Sequence, residues 1–388
     1  MAERQGRRVY LDYAATAPFD AALLDAARSA SWANANGLYE EGREAFAQLE
    51  DARKRIAAAL GAHAPSELTF TSGGTESDNT ALRGLSAKVP SARATHVVVS
   101  AIEHDAVLNA ARALKRDGFK VDVLAPTRAG VVEVRALEEL LSKTEAAGDA
   151  TCLVAVQAVN NELGTIQPVR QLAACAHAHG ARFFTDAVQA LGKLSVELEA
   201  SGVDAAGFSA HKIGALKGCG ALYVRRSVRC TPLIVGGGQE AGMRSGTQNV
   251  LGAVVFAAAV ERACAEREEV WQRCASFRAQ LIAAASAGGF PHALSPTVPE
   301  SDAQVPHILS FLADGLEGET LVLRADNAGL AVSAGSACSS KSLDASHVIT
   351  ALGIGRDAAL GSLRISFGPG TVQEDIDALI RALPEVLR

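Results

Sequence analysis

The feature that most constrains this chain is an alternation running from about residue 66 to residue 226. Short apolar runs (ELTFTSG, THVVVS, CLVAVQAV, RFFTDAVQ, AAGFSAH, GALYVRR) recur along it, and the first three are each followed by a helical pattern: TESDNTALRGLS, EHDAVLNAARALKRDG and QPVRQLAACAHAHG. The short runs have the length and content of buried strands, whereas the longer ones place apolar residues every three or four positions. Strands alternating with amphipathic helices predict an α/β unit built on a mainly parallel sheet flanked by helices. Alanine-rich helices suit close packing on such a sheet.

Beyond a glycine-rich stretch, VGGGQEAGMRSGT, the pattern predicts one long helix over 248–287, with charges concentrated in ERACAEREEVWQR. A second, smaller α/β pattern follows, from HILSFLADG to SLRISFGP and a final helix from about 371. The expected organisation is a large domain over 16–260, and a small domain formed by 1–15 and 261–388 that carries a catalytic loop at about 333–345.

The chain has 388 residues, enough for two domains, and 48% of them are apolar. A net charge of −6 with scattered Lys and Arg argues against a nucleic-acid partner. No window reaches the ~18 apolar residues of a membrane span, and the start MAERQGRRVYLDYAAT lacks the apolar core of a secretory signal. Seven cysteines, an odd number without a CxxC pair, fit a reduced cytoplasmic setting. His177 and His179, two apart on a helix, do not share a face, so no metal site is expected.

The chemistry concentrates at predicted strand ends. Lys212 follows AAGFSAH, with Ser209 and His211 beside it, and Asp186 and Gln189 follow RFFT, at the edge where open α/β sheets collect ligands. A lysine in such a place is usually only a solvated charge. TFTSGGTESDN runs from strand through a glycine turn into a helix start, where Gly73 and Gly74 let free N–H groups approach an anion. The competing reading there is an ordinary cap, with Thr75 as N-cap and Asp78 as its capping-box partner. An amine, a carboxylate and a phosphate cradle together are what pyridoxal phosphate requires.

The sequence resembles the NifS/IscS-like cysteine desulfurases, within the class-V aminotransferase family of fold-type-I pyridoxal-phosphate enzymes. The resemblance runs from YLDYAATAP to SLRISFGPGT through FTSGGTESDN, EHDAVL, VNNELG, DAVQALGKL, SAHKIGALKG, GGGQEAGMRSGT and SAGSACSS. It implies that Lys212 is the Schiff-base lysine, that Asp186 holds the pyridine nitrogen, and that His104 stacks on the ring and moves protons. Gln189 would contact the ring's phenolic oxygen. Gly74, Thr75, Ser209 and His211 would hold the phosphate, and Thr247 would reach the phosphate of the other subunit of a homodimer. Arg364 would hold the α-carboxylate of L-cysteine, with Asn161 near substrate and cofactor and Asn34 near that carboxylate. Ala35, Tyr39 and Leu216 depart from the proline, histidine and proline common in the family.

Cys338, set among small residues, would be the nucleophile that takes sulfur as a persulfide and releases L-alanine. Its sulfur would pass to a protein acceptor, either an iron–sulfur scaffold or a sulfur carrier. Two other readings share parts of the pattern. A selenocysteine lyase or another class-V enzyme would use the same lysine, though an aminotransferase has no use for Cys338. An inactive desulfurase-like scaffold for cluster assembly is disfavoured by the intact Lys212, Asp186 and Cys338.

Overall fold

The computed structural model describes residues 7–86, 95–335 and 344–388. Its main sheet has seven strands: β1 (Leu68–Thr71), β2 (His96–Ser100), β3 (Lys120–Leu124), β4 (Thr151–Ala155), β5 (Arg182–Asp186), β6 (Ala205–Ser209) and β7 (Gly220–Val224). They lie in the order β1-β7-β6-β5-β4-β2-β3. Strands β3, β2, β4, β5 and β6 are mutually parallel, and only β7 runs against its neighbours. The five parallel strands therefore deliver their carboxyl ends to one edge.

Both faces of the sheet are covered, which is why its strands read as unbroken apolar runs. Val97, Val99, Leu153 and Phe184 point into a core with α2 (Gly74–Leu85) and α3 (Asp105–Arg116). Their neighbours Val98, Val154 and Phe183 point the opposite way, into the largest core. That core is closed by α1 (Glu40–Ala59), α5 (Val169–Ala178) and the first part of α6 (Val250–Ala287). On α1, Ala45, Leu49, Ala52 and Ile56 repeat every three or four residues and are all buried. Helix α4 (Val134–Ala146) packs beside α5. The sequence reading missed β3, because it is an edge strand whose Lys120 and Val123 face solvent, so it carries no apolar signature.

Helix α6 continues past Val260, and its later residues Val270, Cys274, Phe277 and Leu281 belong to a different core. That core includes an antiparallel sheet of β8 (Leu294–Pro296), β9 (Ile308–Ala313) and β10 (Ser362–Ser366), and helix α7 (Gln373–Val386). Val9–Tyr10 pairs in parallel with Leu330–Ala331, bringing the start of the chain into the same core. Among the described residues no helix is long and apolar enough to cross a membrane.

The glycine-rich stretch 235–249 is pinned by one buried ion pair. Arg53 on α1 reaches Glu240 through two parallel hydrogen bonds of 2.7 and 2.9 Å, and also donates to the Leu68 carbonyl at 2.7 Å. Glu240 accepts further from the Phe70 N–H at 2.8 Å and from Gln248 at 2.9 Å. These bonds hold Glu240 at φ +52°, a left-handed backbone conformation that a non-glycine residue keeps only when its surroundings impose it. Truncating Glu240 leaves the buried Arg53 charge with only the more exposed Glu50, 3.0 Å from its Nε, as counter-ion. Glu240→Ala is therefore expected to cost about 3–5 kcal/mol in denaturant unfolding. A loss under ~1 kcal/mol, the range of an exposed pair, would show that the pair carries no such load.

Candidate active site

The carboxyl edge of the parallel strands opens into a cavity of about 290 Å³. Gly74, Thr75, His104, Asn161, Asp186, Gln189, Ser209, His211, Lys212 and Arg364 all line it, together with Asp78, Glu103, Gln157 and His347. Residues spread over nearly 300 positions of sequence thus meet in one place. The volume sits at the lower end of the roughly 300–1,000 Å³ typical of small-molecule sites.

The segment 12–16 forms one wall and is held by the site's own polar side chains. Lys212 Nζ donates to the carbonyls of Ala14 at 2.6 Å and Ala15 at 2.8 Å. Gln189 Nε2 donates to the Ala14 carbonyl at 2.9 Å, and His211 Nδ1 lies 3.0 Å from the Thr16 hydroxyl. Burial and the charges of Lys212 and Lys217 push the His211 pKa down to about 4, so its ring is neutral. His104 caps α3, its Nδ1 accepting the Ala106 N–H at 3.1 Å, which leaves the proton of the neutral ring on Nε2.

The glycine turn leads into a helix start, as the sequence suggests, although the cap differs. Helix α2 begins at Gly74 with Gly73 as its N-cap, and no side chain caps it. Thr75 therefore is not the N-cap, and Asp78 is buried on the cavity floor instead of serving a capping box. Gly73 has φ +151°, and a Cβ on Gly74 would come within 2.8 Å of Val188, so both positions need glycine. The first turn of α2, with Thr75 in it, thus lies beside Ser209 at the cavity wall, and a helix start of this kind can receive an anion.

Below this helix start lie three buried carboxyls. Burial raises the pKa of Asp186, offset by the neighbouring His104 ring, the Val188 N–H bonded at 2.9 Å, and the charge of Lys212. Burial first, and then the neighbouring carboxylates, push Asp78 and Glu103 well above the usual carboxyl range. Asp78 Oδ1 and Glu103 Oε2 have no hydrogen-bond partner among the described residues. Asp78 and Glu103 are accordingly the protonated members, and the anionic role falls to Asp186, the carboxyl that the Lys212 ammonium and the His104 ring lie against. On the opposite wall Arg364 is 1% exposed, bonded to the Asn161 carbonyl at 3.0 Å and to Asp12 at 2.8 Å. Its Nε is buried with no partner among the described residues, leaving donor capacity that a carboxylate would use. A ligand with an anionic arm, a ring nitrogen that is cationic when protonated and a carbonyl carbon matches the α2 terminus, Asp186 and Lys212 in turn.

A second cavity of about 300 Å³ opens on the far side of Lys212, between the 17–21 segment, α6 and the 367–370 turn. Lys193 lines it and donates to Gln189 Oε1 at 3.2 Å, and burial brings its pKa down to about 7. This lysine sets the orientation of the Gln189 amide, and the sequence reading overlooked it. The available signal was its spacing, one helical turn beyond Gln189 in DAVQALGK.

Two expected site residues, Asn34 and Thr247, do not line the cavity. Asn34 is exposed, its side chain accepting the Asn36 N–H at 3.0 Å in a local turn. Thr247 is exposed and lines a separate hollow with Ser72, Arg244 and Glu240. Cys338 lies outside the described residues. Its flanks do reach the site: Ser333 exchanges two backbone hydrogen bonds with Arg364, and His347 lines the cavity.

The acid floor has a thermodynamic signature. Asp78 keeps its proton in the folded protein at pH values where the unfolded chain has lost it, so its contribution to stability falls as pH rises above the unfolded carboxyl range. Asp78→Asn is therefore expected to gain stability relative to the parent as pH is raised from 5 to 8. A gap between the two that stays constant over this range in urea unfolding would refute the assignment.

Comparison with known proteins places this geometry. The family model described as aminotransferase class-V matches residues 9–379. Cysteine desulfurase IscS of Dictyoglomus turgidum is 36% identical over 384 residues, covering 98% of this chain and 95% of that protein. A solved NifS-like protein superposes with a TM-score of 0.88 at 34% identity, over 98% of this chain and 99% of the other. SspA, solved in complex with cysteine, superposes at 0.79 with 32% identity, over 94% of this chain and all of the other. With a fold matched from end to end and its strand-end residues gathered around one cavity, the chain belongs to the class-V aminotransferase family, in the NifS/IscS-like group.

Proposed function

We propose that this protein is a pyridoxal-phosphate-dependent cysteine desulfurase that converts L-cysteine to L-alanine and passes the sulfur to Cys338 as a persulfide. The observation that carries the reading is the meeting of Lys212, Asp186 and Arg364 in one cavity, with the chain entering the Cys338 segment beside Arg364 and leaving it at His347. Its similarity to proteins named cysteine desulfurase, and to one solved with cysteine, supports the choice of substrate.

The cofactor, when bound, supplies an aldehyde for imine formation and a ring that accepts electrons from the amino acid. Lys212 provides the amine and afterwards a proton carrier at Nζ. Asp186, desolvated and anionic, would hold the cofactor's ring nitrogen protonated. Gly74, Thr75, Ser209 and His211 would bind the phosphate, and Gln189, fixed by Lys193, would contact the ring oxygen. His104 offers a proton at Nε2, the nitrogen not engaged in capping α3. Arg364 and Asn161 orient the α-carboxylate, the guanidinium contributing its unpartnered Nε. Cys338 as thiolate attacks Sγ of the substrate. An S–S bond forms as the Cβ–Sγ bond breaks, and the carbon fragment takes up a proton and leaves as L-alanine. A protein acceptor, an iron–sulfur scaffold or a sulfur carrier, then collects the persulfide sulfur.

The test combines two variants with the cofactor-loaded parent. Lys212→Ala should lose the visible absorbance of lysine-bound cofactor. Cys338→Ser should still change its spectrum on adding L-cysteine, yet carry no extra sulfur atom by intact-protein mass spectrometry. A Cys338→Ser protein that passes sulfur to an acceptor at the parent rate would overturn the assignment.

The working unit is a homodimer, and the cell compartment is the cytoplasm, where the six described cysteines remain free thiols. The dimer reading rests on exposed apolar side chains flanking the Thr247 hollow: Trp32 at 88%, Leu38 at 91% and Val235 at 76% exposure. Asn36 touches Gln248, so these segments form one surface. A partner covering it would bring a second Thr247 toward the phosphate seat. Sedimentation of the purified protein should give twice the chain mass, and Trp32→Glu should shift it toward the monomer. A parent protein that sediments as a monomer at micromolar concentration would refute this.

A further inference from the structure

Outside the cavity, one cluster of side chains has no role in the proposed reaction. Glu138 on α4 meets Cys175 and His179 on α5 and its C-cap, with Cys175 Sγ 3.7 Å from Glu138 Oε2 and His179 Nε2 4.0 Å from Glu138 Oε1. One ligand atom from each of the three lies within 4.8 Å of the other two. The other ring nitrogen of His179, Nδ1, sits 2.9 Å from Glu145 Oε1 on α4. His177, considered with His179 in the sequence, instead turns to Asp204 at 2.8 Å. The partner of His179 is Cys175, four positions earlier and on the same helix face.

We propose that Glu138, Cys175 and His179 bind a divalent zinc-class ion, with water in the fourth position. Thiolate, imidazole and carboxylate are the ligand types zinc selects, whereas calcium and magnesium take oxygen. Zinc bonds of about 2.0–2.3 Å place neighbouring ligands of a tetrahedron roughly 3.3–3.7 Å apart. The observed separations, 3.7 Å from Sγ to Oε2 and 4.0 Å from Nε2 to Oε1, run to the two carboxylate oxygens, and rotation of the exposed Glu138 side chain brings one of them toward that spacing from both partners. Glu145 supplies the feature that distinguishes a ligating histidine from a surface one. A carboxylate on its second nitrogen fixes the tautomer, so that the Nε2 lone pair faces the ion. Binding displaces the Cys175 thiol proton to solvent and ties α4 to α5 through a bond that neither helix makes by itself.

The experiment uses the full-length, cofactor-loaded protein, stripped with chelator, desalted and titrated with Co²⁺ and then Zn²⁺. Cobalt should give thiolate charge-transfer absorbance and tetrahedral ligand-field bands that one equivalent of zinc abolishes. Cys175→Ser should lose the charge-transfer band, and Glu145→Gln should bind zinc about 10–100-fold more weakly. Glu138→Ala, altering an exposed side chain that cannot compromise folding, should abolish the rise in melting temperature that zinc produces in the parent. Identical cobalt spectra in the parent and Cys175→Ser, or an equal thermal response to zinc in the parent and Glu138→Ala, would overturn the proposal.

Discussion

The structure depends on how the short segment Asp12–Thr16 is held. Its main chain satisfies Lys212 and Gln189 from the large sheet, while Asp12 receives Arg364 from β10 and the Ala14 N–H donates to Ser366 at 2.9 Å. One stretch of five residues therefore completes the hydrogen bonding of groups from two separate sheets. Buried polar groups left unmatched are costly, so the site's amine, amide and guanidinium all require that segment in place. The cavity is as much a product of this stitch as of the strands that deliver its residues.

Charge is distributed around the cavity so that Asp78, Glu103 and His211 each have one preferred state. Asp78 and Glu103 are forced neutral by burial beside Asp186, and His211 is neutral through burial next to lysine charge. Lys193 is buried too, yet it is spared an unmatched ammonium by Gln189. A site with its protonation states already sorted needs little rearrangement when a charged ligand arrives, the condition under which electrostatic stabilisation is most effective.

The parallel sheet was legible because both of its faces are covered, which turns each strand into a continuous apolar run such as THVVVS. Lys212, Asp186 and Gly74 were legible because they stand just past those runs, where strand ends must converge. What escaped were residues whose meaning is set by tertiary contact. Strand β3 has only one neighbour and looks polar. Asp78 reads as a helix cap until its side chain is seen to turn inward. Lys193 reads as a surface charge until α6 and the 367–370 turn close over it. Glu138 and Cys175 are 37 positions apart, and only the packing of α4 on α5 relates them. Local chemistry follows from local sequence, but burial does not.

Helix α6 carries a mechanical implication. Its 38 residues extend roughly 57 Å at 1.5 Å per residue, and its two ends are embedded in different cores. A continuous helix resists bending far more than a loop does, and no proline interrupts this one. The two sheets that face each other across the ligand cleft are thus mounted on a common strut. The width of the cleft is set by that strut, and any movement needed to admit substrate or discharge sulfur falls to the shorter connections around the rim.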